Sequence, residues 1–262
     1  MTWFFILIAI LIFIFLIYID FYFGRRNHEN HIQNMIFPIS TGDYEYYHLG
    51  SLLFQDMLQD IKHAKQEVLL QFFIMKKDNI STKITDLLIE KAQEGITVRV
   101  LVDRIGGFRL SYFYRARLKK AGVHFAFSSR PTFPFLIYKF NRRNHRKIAV
   151  IDGKAAYVGG FNIGDEYESK NPTFHIWRDY HVRITGKVVH DLQKIFQADW
   201  ELAKEEIPIY EPPLQDSGKE VQAVETDGFG LEEIFLEFIN KTKHEMMIGT
   251  PYFIPTKPII EA

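Results

Sequence analysis

The chain has 262 residues, of which 47% are hydrophobic, and its 32 basic and 32 acidic side chains give a formal net charge of zero. This length and apolar content suffice for one sizeable domain and part of another, and the neutral balance gives no reason to expect nucleic acid as a partner. Cysteine is absent, which excludes proteins held together by disulfides.

The chain opens with an apolar segment. No charged side chain occurs from Met1 to Ile19, a stretch that would span roughly 28 Å as a helix, close to the hydrocarbon thickness of about 30 Å. A cleaved signal peptide is the alternative, but a basic leading region and small residues at a cleavage site are missing. Residues 1–23 are therefore predicted to be a single-pass anchor in the cell membrane. Arg25 and Arg26 follow, which by the positive-inside tendency predicts that the rest of the chain is cytoplasmic.

Helix and strand patterns alternate after a polar segment. Residues 24–47 are rich in Asn, His and Tyr and are interpreted as a linker. Residues 48–204 are interpreted as one domain of class α/β, a mixed sheet sandwiched by helices. Apolar periodicity predicts helices at 52–65, 82–93, 112–120 and 188–203 and strands at 68–74, 96–102, 123–127 and 180–184.

A β-hairpin is predicted within this domain. Residues 147–151 read as a buried strand, Asp152-Gly153 as a two-residue turn, and residues 154–160 as the return strand. Directly opposed residues of a hairpin project to the same side of the sheet.

One face of the hairpin gathers polar groups. The two-residue turn places Lys147 opposite Val158 and, further along, His145 opposite Gly160. His145 and Lys147 therefore share a face, and Asn162, two residues after Gly160, joins them.

These side chains suit a tetrahedral phosphorus centre. The His145 imidazole can attack phosphorus, while the Lys147 ammonium and the Asn162 amide can hold its equatorial oxygens, with room left by Gly160. Taken singly, each residue has an ordinary structural explanation, and the spacing of the set is what predicts phosphoryl transfer. The ten histidines show no metal-ligand spacing, so neither a metal nor another cofactor is predicted.

The spacing His145-x-Lys147-x4-Asp152, followed by Gly159-Gly160-x-Asn162, resembles the HKD motif of the phospholipase D superfamily. The resemblance implies a phospholipase D-like fold and adds Asp152 to His145 and Lys147 as a catalytic residue. It implies that Asn162 and Gly160 bind the substrate phosphate.

A narrower resemblance, to bacterial cardiolipin synthases, covers the chain from about Gly50 to its end. These proteins commonly have Gly at the position of Gly160, where many superfamily members carry Ser. The resemblance also implies that Glu166 orients the residues that contact the substrate. Three segments carry it: residues 143–167, 177–181 and 250–255.

Two neighbouring features are left open. Asp103 ends a predicted strand ahead of two glycines, where it lines the site or, as we favour, caps the loop. The residues around His145 form either a lip that touches the membrane and attracts anionic headgroups, or a solvated loop. The apolar and basic residues of that segment are Phe133 to Ile137, Tyr138, Lys139, Phe140, Arg142, Arg143, Arg146 and Lys147.

The chain begins to repeat itself near its end. Aligning Gly50 with Gly228 matches an apolar helix followed by an apolar strand, with residues 205–219 interpreted as a Pro-containing linker. Residues 220–262 are predicted to start a second, incomplete domain of the same kind. Three explanations stay open: the amino-terminal part of a longer two-motif enzyme, which we favour, a short protein that completes its site as a homodimer, or an inactive lipid-binding remnant.

The resemblance implies phosphatidyl transfer at a membrane, with phosphatidylglycerol and anionic lipids as partners and no nucleic acid. His145 would attack one phosphatidylglycerol, and a second phosphatidylglycerol would attack the resulting phosphohistidine to give cardiolipin. Water as acceptor would make the chain a phospholipase D, and a nucleic-acid phosphodiester would make it a nuclease. These activities are the alternatives.

Overall fold

The computed structural model describes residues 2–32, 34–170, 176–204, 207–250 and 253–262. Residues 205 and 206 of the predicted linker lie outside this part of the chain. So do Pro251 and Tyr252, which belong to a segment similar to cardiolipin synthases.

Eight strands form one mixed sheet. The strands β3 (Glu67–Phe72), β4 (Thr97–Asp103) and β5 (His124–Ser128) run parallel to one another, and the other neighbouring pairs are antiparallel. Strands β1 (Met35–Ile36) and β10 (Val224–Glu225) form a separate two-stranded ribbon. The order across the large sheet is β5 (His124–Ser128), β4 (Thr97–Asp103), β3 (Glu67–Phe72), β6 (Ile148–Ile151), β7 (Ala155–Gly159), β8 (His181–Thr185), β2 (Ser40–Tyr47) and β9 (Lys219–Val221).

Helices cover both faces of this sheet, which confirms the predicted fold class. The helix α6 (Val188–Ala203) repeats apolar residues at three- and four-residue spacing, as in Val189, Leu192 and Phe196, and buries that stripe against the strands. The helices α2 (Gly50–His63), α3 (Asn79–Gln93) and α4 (Tyr112–Lys120) pack on one face, and α6 (Val188–Ala203) packs on the other. The remaining helices are α1 (Thr2–Glu29) against α5 (Leu136–Asn141), and α7 (Leu231–Lys241) against α8 (Lys257–Glu261).

The predicted linker over residues 24–47 is corrected by the structure. α1 is long and apolar enough to cross a membrane, and it continues beyond the apolar segment to Glu29. β2, which ends at Tyr47, is an internal strand between β8 and β9. Its polar composition concealed it, because only Gly42 and Tyr47 of its 8 residues are buried.

The segment predicted to begin a second domain is joined to the first. β9 pairs with β2, and β10 pairs with β1, so the residues from Lys219 to Glu225 extend sheets that the amino-terminal part begins. A second domain over residues 220–262 stays a prediction.

The predicted hairpin forms, but its register differs by one residue. Asp152 and Gly153 have φ angles of 53° and 58°, which the two-residue turn requires. The Lys154 N–H donates to the Ile151 carbonyl at 3.0 Å, yet Ile151 pairs with Ala155, so Lys154 is an extra, bulged residue.

The bulge changes the neighbours of the site residues. Because β6 pairs Ile148 with Val158, the next step of the register places Lys147 beside Gly159. The predicted register, with Lys147 opposite Val158 and His145 opposite Gly160, is therefore wrong, and His145 lies before the first paired residue of β6. His145 and Lys147 precede β6, yet they still come together, because both side chains contact the ring of Phe73.

Candidate active site

His145 lies at the end of the sheet opposite the hairpin turn, with its side chain exposed. Its ring stacks on Phe73, with 4.0 Å between ring centroids and 23° between the planes. Desolvation lowers the pKa of His145, and the positive charge of Lys147 lowers it further, while Asp103 opposes both. The imidazole is therefore uncharged near neutral pH, as a nucleophile must be.

Lys147 is buried next to the backbone of His145. Its Nζ donates to the main-chain carbonyl of His145 at 2.6 Å and lies 5.7 Å from the centre of the Phe73 ring. Burial lowers the pKa of Lys147 to about 8, against the opposing influence of Asp179. The ammonium is thus a cation in a poorly solvated place, where an anion would be attracted strongly.

Asp103 holds the loop that leads into His145. Its buried carboxylate accepts the N–H of Ile105 at 2.8 Å and the N–H of Asn144 at 3.0 Å, and Arg143 Nη1 lies 3.1 Å from Oδ1. Asp103 therefore positions the residue immediately before His145. This agrees with the loop-capping role that we favour from the sequence.

Asp152 lies at the other end of the hairpin, away from His145. Its carboxylate accepts backbone N–H groups from Lys65, Gln66 and Glu67, at distances from 2.7 to 3.1 Å. These residues lead into β3, so Asp152 ties the hairpin turn to a neighbouring strand. The structure does not bring Asp152 together with His145 and Lys147, and its geometry supports a structural role.

The sequence predicts that Gly160 leaves an open space beside His145, and the structure shows that this space is filled. A Cβ at this position would lie 2.0 Å from Oδ1 of Asp179. The missing side chain thus admits the Asp179 carboxylate, which lies close enough to Lys147 to raise the pKa of that ammonium against the effect of burial. Gly160 positions a carboxylate, and phosphate binding by its backbone stays a prediction.

The Asn162 amide is already engaged. Oδ1 accepts the Ile74 N–H at 3.0 Å, and Nδ2 donates to the Tyr167 hydroxyl at 3.1 Å. Glu166 is buried and forms an ion pair with Lys76. These contacts fix the loop after β7, and the proposed roles of Asn162 and Glu166 toward the substrate stay predictions.

His181 was not selected from the sequence, although it lies in the same part of the sheet. It pairs across the strands with Gly159, the residue beside Lys147, and is 0% exposed. Within the described residues, neither of its ring nitrogens has a hydrogen-bond partner. Burial lowers the pKa of His181 to about 3, and Lys147 lowers it further, so this ring is neutral. The position of His181 near Lys147 becomes clear only from its pairing with Gly159 across the strands.

The arrangement can perform nucleophilic attack on a phosphodiester. An exposed neutral imidazole is chemically able to act as a nucleophile, and the adjacent ammonium can neutralise negative charge that develops on phosphate oxygens. Among the described residues, no group of three or more His, Asp or Glu side chains is placed to hold a metal ion.

Comparison with known proteins places this site in a family. Residues 57–200 match the family described as "Cardiolipin synthase, PLD-like domain". The chain is 40% identical over 263 residues to minor cardiolipin synthase ClsB of Bacillus subtilis, an alignment that covers 98% of the chain and 65% of that relative. It is 39% identical to major cardiolipin synthase ClsA of the same organism, covering 80% of the chain and 45% of the relative.

A solved structure shows a likeness of fold. Phosphatidylserine synthase of Haemophilus influenzae superposes with a TM-score of 0.51 at 16% identity, over 69% of this chain and 41% of that one. The chain thus spans only part of the length of the relatives that it matches. Because the family match covers more than half of the 262 residues and includes the hairpin, the chain belongs to the cardiolipin synthase family of phospholipase D-like domains.

Proposed function

We propose that this chain acts as a membrane-bound phosphatidyltransferase that makes cardiolipin from two phosphatidylglycerol molecules through a phosphohistidine intermediate. The observation that carries the proposal is the neutral, exposed His145 imidazole in front of the buried Lys147 ammonium. The names of the relatives, both cardiolipin synthases, support the choice of lipid.

In the first step, a ring nitrogen of His145 attacks the phosphorus of phosphatidylglycerol. A P–N bond forms while the P–O bond to glycerol breaks, and the departing oxygen takes up a proton. Lys147 stabilises the charge that grows on the equatorial oxygens, an effect worth most where water is excluded. Asn162 is proposed to assist through its amide.

In the second step, the terminal hydroxyl of another phosphatidylglycerol attacks phosphorus. The P–N bond breaks, cardiolipin forms, and the hydroxyl proton passes to the group that protonated glycerol. We propose that this group is a second imidazole. The spacing His-x-Lys-x4-Asp occurs once in the 262 residues, so this imidazole would come from a second copy of the motif, in a partner chain or in a longer form of this one.

α1 is the proposed membrane anchor. Its apolar residues match the hydrocarbon thickness, and Arg25 and Arg26 lie just beyond them. The positive-inside tendency supports a cytoplasmic position for the sheet.

The nucleophile can be tested without the second imidazole. The full chain would be reconstituted in vesicles with a phosphatidyl-p-nitrophenol labelled with ³²P, because p-nitrophenolate leaves near neutral pH without being protonated. We expect a burst of about one p-nitrophenolate per chain and a protein-bound label that is stable in alkali and lost in acid, as a P–N bond is.

Two histidine variants make this test specific. His145→Ala should abolish both the burst and the label. His63→Ala is the matched control, because His63 is also exposed and also precedes a lysine by two positions, but no aspartate follows at the motif spacing. Equal labelling of His145→Ala and the unaltered chain would refute the phosphohistidine step.

The acceptor is tested by the products formed from phosphatidylglycerol vesicles. Cardiolipin and free glycerol in equal amounts would support the transferase. Phosphatidic acid in place of cardiolipin would show that water is the acceptor, and the chain would then be a phospholipase D.

A further inference from the structure

An exposed apolar patch lies between α1 and the candidate active site. Phe133, Leu136 and Phe140 are 91%, 50% and 58% exposed, and they belong to α5 and the turn that precedes it. We call these three residues the α5 patch. The sequence left this segment as either a membrane-touching lip or a solvated loop, and its contacts with α1 distinguish between them.

Tyr138 of α5 is clamped along one side of α1. The Asp20 carboxylate accepts the Tyr138 N–H at 2.7 Å, and the Phe21 ring meets the Tyr138 ring edge-on at 6.0 Å. One turn later Gly24 lets the two helices approach, since a Cβ there would lie 2.7 Å from the Tyr138 Cβ. One further turn along, Nδ1 of His28 lies 2.7 Å from the Tyr138 hydroxyl.

The far side of His28 is held as well. Its Nε2 lies 2.9 Å from Oδ2 of Asp227, and Arg142 pairs with the same carboxylate. α5 is therefore fixed to α1 at both ends of the Tyr138 side chain. Its position along the axis of α1 is set by contacts from Asp20 to His28.

These contacts define the depth of the α5 patch. Asp20 directly follows Ile19, the last residue of the uncharged segment, so the backbone of α5 lies level with the end of the apolar part of α1. With α1 in a bilayer, this level is the boundary between acyl chains and headgroups. The neighbouring Tyr18, Tyr22 and Phe23 are exposed aromatic residues, which are typical of that boundary.

We propose that the α5 patch inserts into the bilayer interface and fixes the height of His145 above the acyl chains. This inference rests on the anchoring role proposed for α1. Arg143 connects the patch to the site, because it donates to the carbonyls of Lys139 at 2.6 Å and Ser129 at 3.0 Å and pairs with Asp103. The inserted segment and the His145 loop therefore move as one unit, with the nucleophile near the depth of lipid phosphates.

The absence of cysteine makes the depth measurable. Single substitutions Phe133→Cys, Leu136→Cys and Phe140→Cys in the full chain would carry an environment-sensitive fluorophore, NBD. The chain would be reconstituted in vesicles of phosphatidylglycerol and phosphatidylcholine containing nitroxide lipids of known depth. Lys154→Cys is the control, because Lys154 is exposed at the opposite end of the β6–β7 hairpin.

We expect blue-shifted emission and at least threefold stronger quenching by shallow nitroxides at positions 133, 136 and 140 than at 154. Co-sedimentation with vesicles, followed by an alkaline wash, reports the anchor separately. Sedimentation without quenching at 133 and 136 would overturn the patch and leave the anchor intact. Loss of both sedimentation and quenching would overturn both.

A variant pair tests whether apolarity is the cause. Phe133→Ser combined with Leu136→Ser should reduce the quenching of a label at 140 at least threefold, while sedimentation is unchanged. Leu136→Trp should retain the quenching, since tryptophan favours the interface. Unchanged quenching in the double serine variant would refute insertion by these side chains.

Discussion

The two ends of the β6–β7 hairpin carry charged groups that differ in how fully they are hydrogen-bonded. At the turn, the Asp152 carboxylate is surrounded by backbone N–H donors from Lys65, Gln66 and Glu67. At the other end, Lys147 donates to a single carbonyl and the His145 ring is held by stacking alone among the described residues. An ion saturated by the backbone stabilises a fold, whereas an ion with remaining donors can bind a ligand.

The hairpin therefore places the residues of one sequence motif in two separate environments. Asp152 is close to the site histidine in sequence but is separated from it by the length of β6. Asp103 and Asp179 are distant in sequence, yet one holds the loop before His145 and the other faces Lys147. Proximity along the chain is a poor guide to which carboxylates lie near His145 and Lys147.

The largest effect is expected at the site end. His145→Ala should lower p-nitrophenolate release more than about 10³-fold, because the attacking atom is gone. The free energy of unfolding should change by less than about 1 kcal/mol, since the side chain is exposed. Burst kinetics and urea unfolding in detergent measure the two quantities. A large loss of stability would mean that the site end also holds the fold together.

The turn end should show the reverse. Asp152→Ala removes the acceptor for three backbone N–H groups and should lower the free energy of unfolding by about 3 kcal/mol. Asp152→Asn keeps one acceptor oxygen and should cost about 1 kcal/mol, with unchanged turnover per folded molecule. Activity lost in Asp152→Asn at full stability would return Asp152 to the catalytic set.

Lys147 tests whether the site end works through a buried charge. Its pKa of about 8 lies below the usual value of 10.5, so the ammonium is present below pH 8 and is lost as the pH rises above it. We expect kcat/KM for p-nitrophenolate release to fall above about pH 8, by up to about tenfold per pH unit. This ratio reports the ionisation of the free enzyme.

Lys147→Arg is the matching variant. A guanidinium keeps its charge at high pH but is larger and presents its donors differently. Turnover should fall about 10²-fold at pH 7, and the alkaline decline should disappear. An unchanged alkaline decline in the arginine variant would assign that titration to another group.

The sequence predicted the strands of this hairpin and its turn, because Asp152-Gly153 meets a backbone requirement that few residue pairs satisfy. It did not predict the bulge at Lys154, which moves Gly159 beside Lys147. A bulge is set by how the whole sheet twists and pairs, and no residue at 154 signals it. The prediction that His145 and Lys147 lie together did not depend on the register and agrees with their common contact with Phe73, whereas the cross-strand partners depended on the bulge.

Contacts between residues distant in sequence also explain why strand β2 and the surroundings of Asp152 were not predicted. β2 is a strand because β8, more than a hundred residues later, offers it a partner, and its own polar residues gave no periodic signal. The motif assigned Asp152 to catalysis, because the backbone donors that its carboxylate accepts lie at the start of β3 and are remote in sequence. Long-range pairing decides both cases, and single-sequence patterns report local preferences.

The smallest expected effect concerns the two histidines that flank Lys147. His145 is exposed, whereas His181 is fully buried with a pKa of about 3, below the usual 6.5. The unfolded chain binds a proton at His181 below pH 6.5 and the folded chain does not, so this group lowers stability as the pH falls through 6.5. At pH 5, His181 should lower the free energy of unfolding by at most about 2 kcal/mol.

His181→Leu isolates this contribution, because leucine has a similar volume and neither titrates nor leaves buried nitrogens unpaired. The difference in unfolding free energy between the variant and the unaltered chain should grow as the pH is lowered from 7 to 5, in the variant's favour. Carboxylates titrate alike in both proteins and cancel in the difference. A difference that stays constant with pH would show that His181 acquires a proton in the folded state, and the site end would then hold a second cation beside Lys147.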